Sequence, residues 1–439
     1  MLNLQKFDPA RALSLILLAA TATIFPTQVT QAATPTSQTL YDRISPAVVE
    51  ITVENRANLG RASSASGFVT HRPDWVVTNY HAIDQAIFEP EGHRLLVHAT
   101  QRHDNEVKVL AVDVVNDLAI LQVERKLDAT PLELRETLPA KGESGYSMGK
   151  PGNYQHSIVG GTFNGTIDKN TVPLIVFSGA INAGMSGGPT LDAQGRVVGV
   201  NVASSTRHQL VGLAVLAEAV GQLIRRSSGQ TPPGPEALRA DIARQLADYG
   251  RQILGRLDLP DHSVRRLGPF RVRGDLNQER PCGTSTEHKP DDRFERLRQY
   301  CTLGDGLLVM DKQRAGRIVT GTFWTHSNTL GPAGLAKLTE RLLITLRDVN
   351  DEDSPPGRWH CTEQRLRVSF DLPVQLHACR RAVQHLPGLF DYRFRYVPLT
   401  DGQDTLVGAV GLSGFDDQTA RSVLAKVLQT LRYTPEARP

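Results

Sequence analysis

The sequence has almost no net charge, because its 49 lysine and arginine residues are balanced by 46 aspartate and glutamate residues. A formal charge of +3 over 439 residues gives no reason to expect nucleic acid or an anionic membrane as the main partner. Long apolar runs are missing after residue 33, so no later segment is long enough to cross a bilayer as a helix. A chain of this length predicts two or three domains.

Residues 1–33 differ from the rest of the chain. Lys6 and Arg11 precede an apolar run from Ala12 to Phe25, and small residues follow in "TQAA". This is the pattern of a secretory signal peptide. An uncleaved anchor is the alternative, although the run is shorter than the roughly 20 residues of a spanning helix. We expect an exported protein, periplasmic or extracellular, with no stable membrane span after cleavage.

Cysteine is scarce and confined to the C-terminal part, where only Cys282, Cys301, Cys361 and Cys379 occur. An even number in an oxidising compartment predicts disulfides, Cys282–Cys301 and Cys361–Cys379. Neither pair has the close spacing of zinc ligands, so neither a metal nor another cofactor is predicted.

Short runs rich in valine, isoleucine and leucine occupy residues 40–225. Charged or glycine-bearing turns separate them, and the first five runs cover residues 47–54, 75–80, 94–100, 106–114 and 118–124. Such spacing without long helices indicates an all-β fold. Two clusters of about six strands, divided near residue 135, predict two six-stranded antiparallel barrels, and residues 216–226 predict a closing helix.

The remainder begins with a linker-like segment, "SSGQTPPGPE" (227–236). Apolar residues then recur at helical spacing, which predicts one amphipathic helix within 227–263: Leu238, Ile242, Leu246, Tyr249, Ile253 and Leu257. Over 264–439, a cysteine pair, a strand-like run and an amphipathic helix occur twice. We interpret this as a smaller α+β unit in tandem, 264–350 and 356–433; two unrelated disulfide-bearing segments are the alternative.

The stretch "AINAGMSGGPTLDAQGRVVGVN" (180–201) surrounds Ser186 with glycines. Glycine backbones suit a tight turn, and they equally suit an oxyanion hole beside a nucleophile. A serine nucleophile also needs a base and an acid to orient that base. His81 closes the strand "WVVTNYH" and Asp117 opens the strand in "NDLAILQVE", so loops could bring both to one cleft.

Together these segments, in the order His, Asp, Ser, resemble the trypsin-like serine peptidases, most closely the HtrA/Deg family. The resemblance covers residues ~40–225 and marks 34–226 as a protease domain. It implies His81 as general base, Asp117 as its orienting partner and Ser186 as nucleophile. The amides of Gly184 and Ser186, with Met185 as a further candidate, would form the oxyanion hole.

Three other segments bear on this resemblance. Asp113 is a rival acid, but the family places the triad acid directly before the apolar strand, which favours Asp117. "IVGG" (158–161) looks like an activation N-terminus, but cutting there would separate the two barrels, and Met185 could not pair with an ammonium group. No PDZ-like carboxylate-binding loop is recognisable after residue 226.

The predicted function is a serine endopeptidase acting on polypeptide substrates, unfolded proteins among them. The resemblance places Ala180 on the floor of the specificity pocket. Ile181, Val202 and Ala203 line it, and Asn201 to Ala203 pair with the substrate backbone. An apolar pocket favours small or medium aliphatic residues before the cut bond. The alternatives are an inactive protease-like scaffold that binds a protein partner through its C-terminal repeats, and an esterase with the same triad.

Overall fold

In the computed structural model, the described residues are 36–99, 104–151, 155–167, 172–204, 211–257, 264–276, 281–287, 293–310, 313–345 and 357–435. The predicted signal peptide lies outside them. Within these ranges, no helix has both the length and the apolar character needed to cross a membrane.

The first barrel forms from strands whose buried positions are filled by valine, isoleucine and leucine. A short helix, α1 (Ser37–Ile44), precedes it, and α2 (Asp84–Phe88) lies between its third and fourth strands. The barrel closes in the order β1-β2-β3-β6-β5-β4. Its strands are β1 (Val48–Asn55), β2 (Arg61–Val69), β3 (Trp75–Thr78), β4 (His93–His98), β5 (Asp104–Asp113) and β6 (Leu118–Val123).

The second barrel closes in the order β10-β11-β12-β9-β8-β7, and helix α3 (Ala217–Ser227) follows it. Its strands are β7 (Ser144–Gly149), β8 (Ser157–Ile167), β9 (Leu174–Phe177), β10 (Pro189–Asp192), β11 (Val197–Ser204) and β12 (Gly212–Leu216). The prediction of two six-stranded antiparallel barrels is therefore confirmed. The sequence "IVGG" lies inside β8, paired with β7, so it is an interior strand segment.

Helix α4 (Pro235–Gly255) packs against the protease domain on one side and the C-terminal region on the other. On the protease side, Gln245 accepts from the amide of Val114 at 2.9 Å and donates to the carbonyl of Val112 at 3.0 Å. Toward the C-terminal region, a Cβ added to Gly250 would lie 3.1 Å from the ring of Phe415, so this ring packs directly against the backbone of α4. The predicted apolar stripe is buried along its whole length.

A seven-stranded antiparallel sheet dominates the C-terminal region, in the order β15-β16-β19-β23-β22-β21-β20. Helix α5 (Pro332–Thr345) follows β19, and α6 (Asp417–Gln429) follows β23. The strands are β15 (Gly283–Glu287), β16 (Glu295–Leu303), β19 (Arg317–His326), β20 (His360–Val368), β21 (Leu372–Ala382), β22 (Phe390–Pro398) and β23 (Asp404–Phe415).

Two smaller sheets complete the C-terminal region. One contains β13 (Val264–Leu267), β14 (Phe270–Arg273) and β24 (Arg432–Tyr433), and the other is a hairpin of β17 (Leu307–Met310) and β18 (Gln313–Ala315). The sulfur atoms of Cys282 and Cys301, and those of Cys361 and Cys379, lie at disulfide distance. Each pair links the two strands of a hairpin at one edge of the large sheet, β15–β16 and β20–β21 respectively.

Candidate active site

His81 and Asp117 come together where two turns of the first barrel meet. His81 lies in the single helical turn Tyr80–Ala82 after β3, and Asp117 directly precedes β6. Asp117 accepts from His81 twice, with Oδ1 bonding the backbone amide at 2.9 Å and Oδ2 lying 2.6 Å from Nδ1. The side chains remain 29% and 24% exposed, so both are partly accessible to solvent.

The backbone of Asp117 is fixed as firmly as its side chain. Its φ angle is 54°, in the left-handed region that few residues other than glycine, asparagine and aspartate adopt. Its carbonyl accepts from Asn79 Nδ2 at 2.9 Å and from the amide of Tyr80 at 3.2 Å. Hydrogen bonds on both sides therefore hold the acid against the base in a strained conformation.

Asp113, the rival acid, has a different role. Its carboxylate accepts from the backbone amide and side chain of Asn116, each at 3.0 Å, and lies 2.9 Å from Arg226 of α3. It thus caps a turn and anchors the closing helix. Of these two acids, Asp117 is the one that contacts His81.

The surroundings of His81 alter its acidity. Burial lowers the pKa of His81, but the charge of Asp117 and its hydrogen bond raise it by more, and the charge of Asp84 adds to this. The pKa therefore lies above the ordinary value for histidine. An imidazole held this way accepts a proton at Nε2 while the carboxylate stabilises the resulting cation.

Ser186 lies in the loop before β10 of the second barrel, half-buried. Its hydroxyl donates to the carbonyl of Val202 at 3.4 Å, and no hydrogen bond joins it to His81 among the described residues. Gly184 and Gly187 on either side have φ angles of 91° and 83°, conformations that favour glycine.

The loop amides differ in what they bind. The amide of Met185 donates to the carbonyl of Asn182 at 3.0 Å, and the amide of Gly187 to Asn201 at 2.8 Å. Within the described ranges, the amides of Gly184 and Ser186 have no acceptor. These two groups are free to bind a negatively charged oxygen, whereas that of Met185 is occupied.

Ser66 of β2, which the sequence did not indicate, bonds the first barrel to the loop 178–188 that carries the predicted nucleophile Ser186, called the nucleophile loop below. Its amide donates to the carbonyl of Ser186 at 2.8 Å, and its hydroxyl donates to that of Gly184 at 2.7 Å. The same hydroxyl accepts from the amide of Lys150 at 2.8 Å. The residues around Ser66 are small and show no apolar periodicity, so no pattern in the sequence distinguishes this serine from its neighbours.

We expect Ser66→Ala to lower kcat about 10- to 100-fold, because the loop that carries the amides of Gly184 and Ser186 loses the hydrogen bond that holds it at the Gly184 carbonyl, and losing an oxyanion donor outright costs about 10²–10³. Steady-state hydrolysis by purified variants measures this. Ser64→Ala is the matched control. Ser64 lies on β2 like Ser66, but its hydroxyl donates to Glu50 of β1, at 3.2 Å. Equal activity of the Ser66→Ala protein and the wild type would contradict the role.

Of the predicted pocket residues, Val202 contacts Ser186, since its carbonyl accepts from the serine hydroxyl at 3.4 Å. Ala180 is half-buried, and Ile181 is 3% exposed. A Cβ added to Gly212 would come 2.5 Å from Ile181 Cδ1, so this side chain fills the space beside β12. No basic or acidic group is among the predicted lining residues.

Asn201 has a different environment from Val202. Its amide donates to Gly188 at 2.9 Å, its carbonyl accepts from Gly187, and its side chain donates to Met148 at 2.9 Å. Both backbone groups are therefore occupied in holding the nucleophile loop. The pairing of Asn201 to Ala203 with a substrate strand stays a prediction.

Residues 65–200 match the family model described as a trypsin-like peptidase domain. Over 159 residues the chain is 33% identical to "Protease Do-like 5, chloroplastic" of Arabidopsis thaliana, covering 33% of this chain and 49% of that protein. Over 308 residues it is 33% identical to a "Probable periplasmic serine endoprotease DegP-like" of Pseudomonas putida (strain W619), covering 67% of this chain and 58% of the relative.

Among solved structures, "Crystal structure of Deg5" is 28% identical and covers 42% of this chain and 89% of that one, with a TM-score of 0.36. The matched part spans less than half the length of several curated relatives.

Proposed function

We propose, from the premise that the protease domain of this chain belongs to the trypsin-like serine peptidases of the HtrA/Deg family, that the protein is an endopeptidase hydrolysing polypeptides. The observation that carries the proposal is the 2.6 Å contact between His81 Nδ1 and Asp117 Oδ2, in a molecule whose second barrel presents Ser186 from a glycine-rich loop.

In the proposed reaction, Ser186 Oγ attacks the scissile carbonyl while His81 Nε2 takes the hydroxyl proton. The amides of Gly184 and Ser186 stabilise the oxyanion of the tetrahedral intermediate. His81 then gives its proton to the leaving amine, and water repeats the sequence on the acyl-enzyme. Asp117 keeps Nδ1 protonated throughout, so that Nε2 is the free base.

The bond between Ser186 and Val202 suggests how substrate binding prepares the nucleophile. A substrate strand that pairs with β11 would donate its own amide to the carbonyl of Val202. This competes with the hydroxyl of Ser186, which is held at only 3.4 Å. The released hydroxyl can then turn to His81, since catalytic hydrogen bonds often tighten only when substrate binds.

Labelling with a fluorophosphonate probe tests the proposal. The expected result is a single adduct on Ser186 and digestion of casein by the wild-type chain. Absence of both would favour a protease-like scaffold, and ester turnover without casein digestion would favour an esterase.

An export signal is proposed at residues 1–33, and relatives from Pseudomonas are named as periplasmic.

We expect cleavage after small or medium aliphatic residues. Burial of an apolar side chain is favourable by about 25 cal/mol per Å², whereas lysine or arginine would lose hydration without a counter-charge. Mass mapping of cuts in an unfolded polypeptide measures the preference.

Ala180→Asp should move cleavage toward lysine and arginine, because it adds a carboxylate to the proposed pocket floor. Ala183→Asp adds the same charge at an exposed position and should leave the preference unchanged. Wild-type cuts dominated by lysine or arginine would contradict the proposed pocket.

A further inference from the structure

The β17–β18 hairpin leaves the C-terminal sheet and packs against the catalytic turn of the first barrel. β17 contacts both the turn Tyr80–Ala82 and helix α2. The hydroxyl of Tyr80 donates to the carbonyl of Val309 at 2.5 Å, across 229 positions of sequence. Both residues are 0% exposed, so the hydrogen bond is closed to water.

Tyr80 has a direct connection to the catalytic pair. It is the residue before His81, and its amide donates to the carbonyl of Asp117 at 3.2 Å. One residue therefore connects the hairpin, the base and the acid. Burial, with the charges of Asp84 and Asp117, raises the pKa of Tyr80 well above its usual value, so the hydroxyl stays a donor.

The root of the hairpin is built to hold a fixed position. Gly304 and Gly316, where the chain leaves and rejoins the sheet, have φ angles of 88° and 72°. A Cβ on Gly316 would come 2.5 Å from the ring of Tyr249 in α4. The amide of Gly316 also donates to the carbonyl of Ser413 in β23 at 2.7 Å.

The two predicted α+β units, 264–350 and 356–433, differ in the segment that precedes their last long strand, β19 in the first unit and β23 in the second. Between β21 and β23 the chain forms β22, which lies in the sheet and pairs with both neighbours. Between β16 and β19 it forms the hairpin instead, and β16 pairs directly with β19. The first unit therefore has the β17–β18 hairpin, which contacts the protease domain, in place of a strand in the large sheet.

We propose that the C-terminal sheet positions the general base of the protease through this hairpin, with Tyr80 as the positioning residue. The proposal rests on the proposed peptidase function. It makes the C-terminal region part of the working enzyme, because His81 keeps its place only while the hairpin is docked. Small displacements of catalytic groups are costly, about 100-fold for an error near 1 Å.

The test compares Tyr80→Phe and Val309→Ala in the full chain with the wild type. Active sites are titrated with the fluorophosphonate, so that kcat is expressed per competent molecule. We expect kcat per site and the rate of labelling to fall about tenfold in Tyr80→Phe and less in Val309→Ala. KM should stay within about twofold, since neither residue is among the proposed pocket residues.

Tyr396→Phe is the matched control, because Tyr396 is 3% exposed and hydrogen-bonds Thr322 within the large sheet. It should leave kcat per site unchanged. A Tyr80→Phe protein with lower thermal stability but wild-type kcat per site would overturn the proposal and leave the peptidase function intact. A wild-type chain that neither labels nor digests casein would overturn both.

Discussion

Replacing Ser186 by alanine should lower kcat for polypeptide hydrolysis by about 10⁴- to 10⁶-fold, the range found when a triad nucleophile is removed. The fold should survive, because the side chain is only half-buried and its hydrogen bond to Val202 is long, at 3.4 Å. Digestion of an unfolded substrate measures the activity, and a thermal melt measures the fold.

Ser178→Ala is a suitable control in the same barrel. That serine is exposed, and its hydroxyl lies 2.7 Å from the hydroxyl of Thr162. Its removal should leave kcat unchanged. Full activity in Ser186→Ala would show that the nucleophile has been misassigned, while an unfolded variant would be recognised from its melt.

Asp117→Asn should lower kcat by about 10⁴-fold. An amide can still accept from the backbone of His81, but its NH₂ group would donate to Nδ1. That places the proton of the neutral imidazole on Nε2, the atom that must accept from Ser186.

The same variant should shift the pH profile of its residual activity. In the wild type the raised pKa of His81 means that the neutral base appears only above the ordinary value of about 6.5, so kcat/KM rises through that higher pH. Without the carboxylate charge the pKa falls, and the acid limb of Asp117→Asn should move to lower pH.

Asp113→Asn separates the two acids. Asp113 is 5% exposed and pairs with Arg226, so its loss should lower thermal stability while kcat and the acid limb stay as in the wild type. The reverse result, a catalytic defect in Asp113→Asn and none in Asp117→Asn, would contradict the assignment.

The barrels could be predicted because their buried strands alternate with obvious turns. Three strands, β2, β7 and β10, have compositions in which no apolar pattern marks a strand. "RASSASGFV" in β2 and "SGYSMG" in β7 are rich in serine and glycine, and β10 has only four residues. β2 and β7 contact each other where the barrels meet, and a Cβ added to Gly149 of β7 would come 2.8 Å from the backbone of Met185. Small residues are therefore needed there, and no apolar period remains.

The candidate triad could be predicted from residue types and order, but its supports could not. Ser66, Asn79 and Tyr80 act through hydrogen bonds to backbone carbonyls, and such partners leave no trace in spacing. The departure of β17 and β18 from the sheet was equally hidden. Their apolar residues are compatible with any buried strand, and the destination depends on a contact more than 200 positions away.

Helix α4 joins the two parts of the chain that the linker before it separates in sequence. The segment 227–236 is a boundary in sequence, but the helix that follows bonds to Val112 and Val114 of the first barrel and packs on Phe415 of the large sheet. A nick in the linker would therefore leave the two parts associated as a split protein. A chain ending at residue 227 would expose the barrel surface that α4 covers, because the protease domain and the C-terminal region belong to one compact unit.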